Sequence, residues 1–110
     1  MPKRHDSLLI EDILSNIENI FEFTDGCDYV QFISSKIKVY AVIRCFEIIG
    51  EAASLISEEI KISHPPVEWR EMKNFRNRLI HDYFGIDYET VWQILKTDLP
   101  HNYEMLKLIS

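Results

Sequence analysis

Apolar residues recur at helical spacing along almost the whole chain, and this pattern constrains the fold more than any other feature. Near the N-terminus, six of them repeat every three or four positions: Leu8, Leu9, Ile13, Ile17, Ile20 and Phe21. Only 3 glycines occur in 110 residues, and no stretch alternates apolar and polar residues as a half-exposed strand would. The sequence therefore predicts one all-α domain over residues 1–110.

Turn signals divide this pattern into helices. The predicted helices span approximately residues 8–21, 29–35, 36–60, 67–82, 87–95 and 100–108. Asp6 or Ser7 is the expected N-cap of the first helix, and Asp87 that of the fifth. The turns are expected at 24–28, at the His64-Pro65-Pro66 segment and at 84–86. Helices of these lengths with short connections predict a four- or five-helix up-and-down bundle.

The predicted helix 36–60 has only one narrow polar stripe, formed by Arg44, Glu47, Glu51, Ser54 and Glu58. Its apolar arc covers roughly 180° in projection, whereas a surface helix of a bundle needs only about 100°. We expect the excess to pack against a second copy of the chain, which would make the protein a homodimer. The alternative is a central helix that is covered by its own short neighbours.

The segment 76–83 groups three side chains that suit the handling of a phosphodiester. Arg76 can hold a phosphate in a bidentate fork. His81 can move a proton near neutral pH. Tyr83 supplies a hydroxyl that can donate or accept a hydrogen bond, or be modified.

The geometry of one helix over 67–82 does not bring this group together. It would place Arg76 inside an apolar stripe, with His81 roughly 140° around the helix from it. Either the helix breaks near His81, or the two side chains meet across a subunit interface. Asn77 precedes His81 by four residues, the spacing at which helical side chains touch. The alternative is structural: Arg76 pairs with Glu47 or Glu51, and His81 is a cap or a solvated residue.

The formal net charge of −6 argues against general affinity for nucleic acid, and no stable DNA binding is expected. Charge is nevertheless uneven, because four cations fall within nine residues, opposed only by Glu71: Arg70, Lys73, Arg76 and Arg78. Such a cluster suits a selective RNA contact or a partner protein of complementary charge. A solvated helix face is the alternative, and it fits Arg70 and Arg78 better than Arg76.

Composition limits the other classes of function. No apolar run reaches the length of a membrane span, so no membrane partner is expected. Cys27 and Cys45 are too few for a disulfide framework or a zinc site, and are expected to be free thiols in a reducing compartment such as the cytoplasm. No Asp, Glu or His cluster has metal-ligand spacing, so neither a metal nor another cofactor is expected.

The chain resembles the HepT-like branch of the HEPN domain family over nearly its whole length. The resemblance is carried by Arg76-x4-His81-x-Tyr83, Phe84-Gly85-Ile86-Asp87, Val91-Trp92, Asp98-Leu99-Pro100, the stretch 42–53 and the segment 64–69. It implies a metal-independent endoribonuclease toxin that acts on RNA. It also implies a cognate antitoxin, a nucleotidyltransferase of the minimal (MNT) type.

The resemblance also implies roles for individual residues. Arg76 and His81 of both protomers would line a composite cleft at the dimer interface, with Asn77 supporting them. Tyr83 matches the tyrosine that the antitoxin adenylylates. Independently of the resemblance, three residues of the long-helix stripe are candidates to contact and orient the site residues: Arg44, Glu47 and Glu51. The runner-up is a non-catalytic accessory or nucleotide-binding subunit of a nucleotidyltransferase, and a purely structural dimeric bundle would leave the motif unexplained.

Overall fold

The structure, a computed structural model, describes residues 4–81 and 85–110 and confirms the all-α prediction. The helices are shorter and more numerous than predicted: α1 (Arg4–Thr24), α2 (Tyr29–Ile33), α3 (Lys36–Leu55), α4 (Glu58–Ser63), α5 (Trp69–Lys73), α6 (Phe75–Leu79), α7 (Tyr88–Lys96) and α8 (Asp98–Lys107). Two short antiparallel strands, β1 (Ile80–His81) and β2 (Gly85–Ile86), form the one sheet of the described residues. None of the helices described is both long and apolar enough to cross a membrane.

The core lies where α3 meets α1 on one side and α5 and α6 on the other. The inward face of α1 is fully buried at Ile10, Ile13, Ile17 and Ile20. The last three were predicted, whereas Leu8, which was also predicted to belong to this face, is exposed. Burying one such side chain contributes roughly 1.5–3 kcal/mol, so this seam is a main source of stability. Phe46 of α3 and Phe75 of α6 meet edge to face, with ring centroids 5.0 Å apart, and this contact anchors the motif segment.

The predicted N-cap at Asp6 or Ser7 is wrong, because α1 already begins at Arg4. Asp6 is instead buried and contacts the segment that follows the C-terminal end of α3. Its carboxylate accepts hydrogen bonds from the backbone N–H of Ser57 at 3.0 Å and from the Ser57 hydroxyl at 2.7 Å. A carboxylate that would be costly to bury alone is satisfied by these donors.

The single helix predicted over 36–60 is also wrong. Ile56 adopts extended backbone angles, with φ −64° and ψ 140°, and separates α3 from α4. Ser57 then caps α4, since its hydroxyl accepts from the backbone N–H of Ile60. The contacts of Ser57 with Asp6 and its role as cap thus coincide with the break between the two helices. Glu58 consequently lies on α4 and not on the polar stripe of α3.

The helix predicted over 67–82 is divided into α5, α6 and β1. Asn74, with φ −96° and ψ 10°, separates the two helices, and Ile80 is extended at φ −126° and ψ 121°. The helical run therefore ends before His81. A break near His81 was one of the two possibilities that the sequence left open. The segment's start is held by Asn102 of α8, whose side-chain oxygen accepts from the backbone N–H of Glu68 at 2.9 Å.

The remaining boundaries agree more closely with the sequence. The predicted short helix over 29–35 is α2, and Asp87 caps α7 as predicted, accepting from the backbone N–H of Thr90 at 3.1 Å. The last helix begins at Asp98, with Pro100 in its first turn, where proline is tolerated. The turn predicted at 84–86 is wrong in part, since Gly85 and Ile86 form β2, and Phe84 lies outside the described residues.

The apolar arc of α3 is covered mainly by the chain's own helices. Its buried members are Val42, Ile43, Cys45, Phe46, Ile49, Ala52 and Ala53. Ala41 and Ile48 are half-buried, and Leu55 is exposed. Neighbouring helices of the same chain therefore cover most of the arc, which agrees with the alternative of a central helix. The homodimer stays a prediction.

Candidate functional site

Arg76 lies at the surface, with 71% of its side chain exposed, and not inside an apolar stripe as predicted. The buried positions around it follow the bend at Asn74, so that Met72, Phe75 and Leu79 point inward. Arg76 therefore projects from the edge of the core toward α3. Its Nε atom is 3.5 Å from Oε2 of Glu47, which makes Glu47, and not Glu51, its ion-pair partner.

Glu47 joins two arginines. Its Oε1 atom is 3.9 Å from Nη1 of Arg44, one turn earlier on α3, while Oε2 contacts Arg76. Both arginine side chains are more than two-thirds exposed, so each pair contributes about 0–1 kcal/mol to stability. The contacts therefore orient Arg76 more than they stabilise the fold, and they leave much of its guanidinium accessible.

A shallow groove of about 320 Å³ opens beside Arg76. It is lined by Arg44, Phe46, Glu47, Gly50, Glu51, Ser54, Lys73 and Arg76. Gly50 permits the close approach of α3 to the end of α5. A Cβ atom at this position would lie 3.0 Å from the carbonyl oxygen of Met72 and 3.3 Å from that of Lys73. The missing side chain at Gly50 thus brings the cations of α5 and α6 next to the polar stripe of α3.

His81 is positioned by the β1–β2 ladder, in which it pairs with Gly85 while Ile80 pairs with Ile86. Gly85 has φ +75°, a left-handed conformation that glycine adopts without strain. The ladder places Asp87 across from the end of α6, where its backbone N–H donates to the carbonyl of Leu79 at 2.8 Å. The Nε2 atom of His81 is then 3.3 Å from Oδ2 of Asp87.

Asp87 is held in its ionised form. Hydrogen bonds from the Thr90 hydroxyl at 2.8 Å and from the Thr90 backbone N–H lower the pKa of the Asp87 carboxyl below its usual value, and His81 adds a smaller contribution of the same sign. The carboxylate can therefore accept a hydrogen bond from Nε2 and orient the imidazole. Among the described residues, no hydrogen bond occupies Nδ1 of His81, and half of the side chain is exposed at 51%.

The structure does not join all of the predicted site residues within one subunit. Arg76 contacts Glu47 and His81 contacts Asp87, but no hydrogen bond or ion pair between Arg76 and His81 occurs. Asn77 is exposed and makes no hydrogen bond to His81, because the extended Ile80 removes the helical spacing on which that prediction depended. Tyr83, the predicted acceptor of AMP, lies outside the described residues.

Two residues of this region were not predicted to belong to the site. Asp87 was interpreted only as a helix cap, although the spacing His81-x5-Asp87 around Gly85 is a hairpin signal that could have indicated the pair. Lys73 was counted only as part of a basic cluster, and nothing local in the sequence indicates that it shares a groove with Glu51 and Ser54. No three metal-ligating side chains of the described residues are grouped closely enough to hold an ion.

Comparison with known proteins gives one consistent family. The sequence profile described as "Ribonuclease HepT-like" matches residues 13–109. "Putative RNase MJ1380" of Methanocaldococcus jannaschii is 47% identical over 91% of this chain and 92% of its own length. "Putative RNase MJ0125" of the same organism is 45% identical over 91% and 86%, respectively. "Probable ribonuclease HepT" of Thermococcus cleftensis is 44% identical over 89% of both chains.

No solved structure matches the chain significantly. The match nevertheless extends over nearly the whole bundle, from the middle of α1 to the end of α8, and includes the Arg76 groove and the His81–Asp87 pair. The sequence resemblance stated above is confirmed: the chain belongs to the HepT-like ribonuclease family, a branch of the HEPN domains.

Proposed function

We propose that the chain is a metal-independent endoribonuclease whose catalytic residues are Arg76 and His81. The observation that carries the proposal is that, in a member of a ribonuclease family, both side chains are solvent-accessible and each is oriented by one carboxylate. Residues that serve only the core would be buried, whereas these two side chains are exposed and each is held by a carboxylate. Arg76 supplies a fixed cation and His81 a group that gains and loses a proton near neutral pH.

The reaction follows from these two groups. His81 accepts the proton of a ribose 2′-hydroxyl, and the resulting oxygen attacks the adjacent phosphorus. The P–O5′ bond breaks, the 5′-oxygen takes up a proton, and a 2′,3′-cyclic phosphate remains on the other product. Arg76 stabilises the negative charge that develops on the phosphate oxygens. Asp87 stabilises the protonated imidazole while Nδ1 stays accessible to substrate.

A cleavage assay tests this function. A single-stranded RNA should be cut in the presence of EDTA, and a 2′-deoxy substitution at the cleavage position should block the cut because the nucleophile is missing. Cleavage that disappears with EDTA, or that proceeds at the 2′-deoxy position, would contradict the mechanism. A protein that does not cut RNA, yet binds a nucleotidyltransferase, would instead be an accessory subunit.

The composite site requires a homodimer, and α3 offers a surface for it. An outward row of α3 has spacings of four and three residues, the repeat of a coiled-coil seam: Ile37, Ala41, Arg44, Ile48, Glu51 and Leu55. Ile37 is 84% exposed, and Leu55 is exposed as well. Antiparallel pairing of two such rows about a two-fold axis would bring the Arg76 groove of each protomer to the interface, because Arg44 and Glu51 belong both to the row and to the lining of that groove.

Light scattering tests the dimer. The wild-type chain should have twice the monomer mass, and Leu55→Glu should dissociate it. Ile62→Glu is the matched control, because Ile62 is also exposed but lies on α4, away from this row. A wild-type monomer, or a Leu55→Glu variant that stays dimeric beside a dissociated control, would contradict the proposed interface.

The family resemblance supports a toxin–antitoxin pairing in which a nucleotidyltransferase transfers AMP from ATP to the Tyr83 hydroxyl and releases pyrophosphate. Tyr83 stands two residues after His81, so the added group would bring bulk and negative charge to the catalytic histidine. Incubation with the partner and ATP should raise the intact mass by AMP units. The increase should vanish in Tyr83→Phe and persist in the control Tyr88→Phe, whereas modification mapped to Tyr88 would refute the assignment.

A further inference from the structure

We propose that the groove between α4 and α5 is a second phosphate-binding subsite, which holds the backbone of single-stranded RNA beyond the phosphate that is cleaved. This inference rests on the proposed ribonuclease function and adds a substrate path to it. The subsite adjoins the Arg76 groove through Lys73, which lines both. A chain that enters beside Arg76 therefore meets a continuous basic surface.

The structure divides the four clustered cations into two groups. Arg78 turns away and pairs with Asp98, the first residue of α8, with Nη1 and Oδ2 3.4 Å apart. Arg70, Lys73 and Arg76 instead line the two grooves at successive intervals of three residues. Arg70 and Lys73 are neighbours within α5, because helical side chains three residues apart lie about 5–6 Å from Cβ to Cβ. Lys73 and Arg76 line one groove from either side of the bend at Asn74, so the three cations form one continuous ladder of positive charge.

The α4–α5 groove has a favourable charge for an anion. Its volume is about 400 Å³, and it is lined by Glu58, Lys61, Trp69, Arg70, Lys73 and Asn74. Three cations of the lining thus face one carboxylate, that of Glu58. This carboxylate is already paired, since its Oε1 atom lies 3.8 Å from Nζ of Lys61. Neither Arg70 nor Lys73 forms an ion pair with a described residue, which leaves both free to contact phosphate oxygens.

The aromatic residue of the groove indicates which part of RNA would bind. Trp69 is buried, and its indole N–H donates to the carbonyl of His64 at 3.1 Å. Its ring therefore forms the floor of the groove and does not present a stacking platform for bases, as single-strand binders commonly do. The subsite should contact backbone phosphates with little preference for base sequence. The chain has a net charge of −6, so most of its surface repels RNA. The ladder of Arg70, Lys73 and Arg76 therefore directs RNA from the catalytic groove toward the α4–α5 groove.

The test measures binding without cleavage. A single-stranded oligonucleotide with 2′-O-methyl groups throughout cannot cyclise, so the otherwise wild-type protein can be used. Arg70→Gln, Lys73→Gln and the double variant remove the proposed contacts, and Lys107→Gln removes an exposed cation on α8, outside both grooves. Circular dichroism confirms that each variant is folded.

The expected result is a change in salt dependence as well as affinity. Each lost phosphate contact should reduce the slope of log K against log salt by about 0.7, so the double variant should lose about 1.4, while Lys107→Gln matches wild type. If the double variant binds the oligonucleotide with the same salt slope and affinity as Lys107→Gln, the proposed subsite is refuted. A variant that binds RNA normally but no longer binds the adenylylating partner would also refute it, because the groove would then be a protein contact.

The two proposals fail separately. A protein that cuts RNA while the double variant binds normally would refute the subsite alone. A protein that binds RNA through Arg70 and Lys73 but does not cut it would refute the proposed catalysis alone.

Discussion

His81 and Asp87 are joined across a two-residue β-ladder, with Nε2 and Oδ2 3.3 Å apart. Asp87 is at the same time the N-cap of α7, so one carboxylate connects the start of a helix to the imidazole. The position of His81 therefore depends on a hairpin and a cap, and not on the helix that carries Arg76. Because α6 positions Arg76 and the ladder positions His81, these two residues of one short motif contact different neighbours.

The first prediction concerns the orientation of His81. Asparagine is as good an N-cap as aspartate, so Asp87→Asn should keep α7 capped while removing the charge that stabilises protonated His81. We expect kcat for RNA cleavage to fall by about one to two orders of magnitude, with the urea midpoint of unfolding nearly unchanged. Asp87→Ala is the comparison, because it should also lower the urea midpoint through loss of the cap. Wild-type kcat in Asp87→Asn would exclude a role for this pair.

The second prediction concerns acid stability. The pKa of Asp87 is lowered in the folded state, chiefly by Thr90 and to a smaller degree by His81, from an ordinary value of 3.8. Its contribution to stability is therefore present above pH 3.8 and is lost as the pH falls through the lower, folded-state pKa. Urea unfolding at neutral and acid pH should show a smaller acid-induced loss in Asp87→Asn than in wild type. Identical pH profiles for the two proteins would show that the carboxylate is not stabilised as described.

The third prediction concerns Gly50. Helix propensity alone predicts that Gly50→Ala stabilises α3 by about 1 kcal/mol. The added Cβ, however, would lie 3.0 Å from the carbonyl oxygen of Met72, so α3 and α5 must separate. We expect a net loss of about 1–3 kcal/mol in urea unfolding and a lower cleavage rate, because a shift of α5 moves Lys73 and, with the adjoining α6, Arg76. A more stable variant would mean that the close approach is not required.

The fourth prediction concerns Asn102, which is fully buried on α8. Its side chain accepts from the Glu68 N–H and donates to Oε1 of Glu68 at 3.1 Å, and it thereby holds the start of the motif segment. Asn102→Ala should reduce the free energy of unfolding by about 1–3 kcal/mol, because the Glu68 N–H loses its partner. The exposed neighbour His101 bonds to the Pro66 carbonyl, so His101→Ala should cost less. Equal losses in the two variants would contradict this ranking.

The periodic parts of the fold could be predicted from the sequence, and the breaks could not. The repeat of Ile13, Ile17 and Ile20 is local, and it specifies both the helix and its buried face. The end of α3 depends on Asp6, which contacts Ser57 from 51 residues away, so no window around residue 56 contains the cause. The bend at Asn74 lies between two other long-range contacts, the close approach of Gly50 to the end of α5 and the hydrogen bond from the Glu68 backbone N–H to Asn102.

The candidate site shows the same limit. The residue types at 76 and 81 suggest phosphodiester chemistry, since an arginine and a histidine suit that group, and this chemistry stays a proposal. Their geometry could not be read from one helical projection, because Ile80 leaves the helix and the hairpin gives His81 its partner. The ion pair of Arg76 with Glu47, offered as the structural alternative, is present and is compatible with a catalytic arginine.

The most direct test of the account is the single-turnover rate of RNA cleavage, measured in EDTA for wild type, Arg76→Ala, His81→Ala and the control Arg78→Ala. Loss of a general base or of a charge-stabilising donor typically reduces the rate by about 10²–10⁴-fold. We expect such a loss in Arg76→Ala and His81→Ala with unchanged helical content, and a near wild-type rate in Arg78→Ala, whose side chain is paired with Asp98. Cleavage at the wild-type rate by either Arg76→Ala or His81→Ala would contradict the proposed active site.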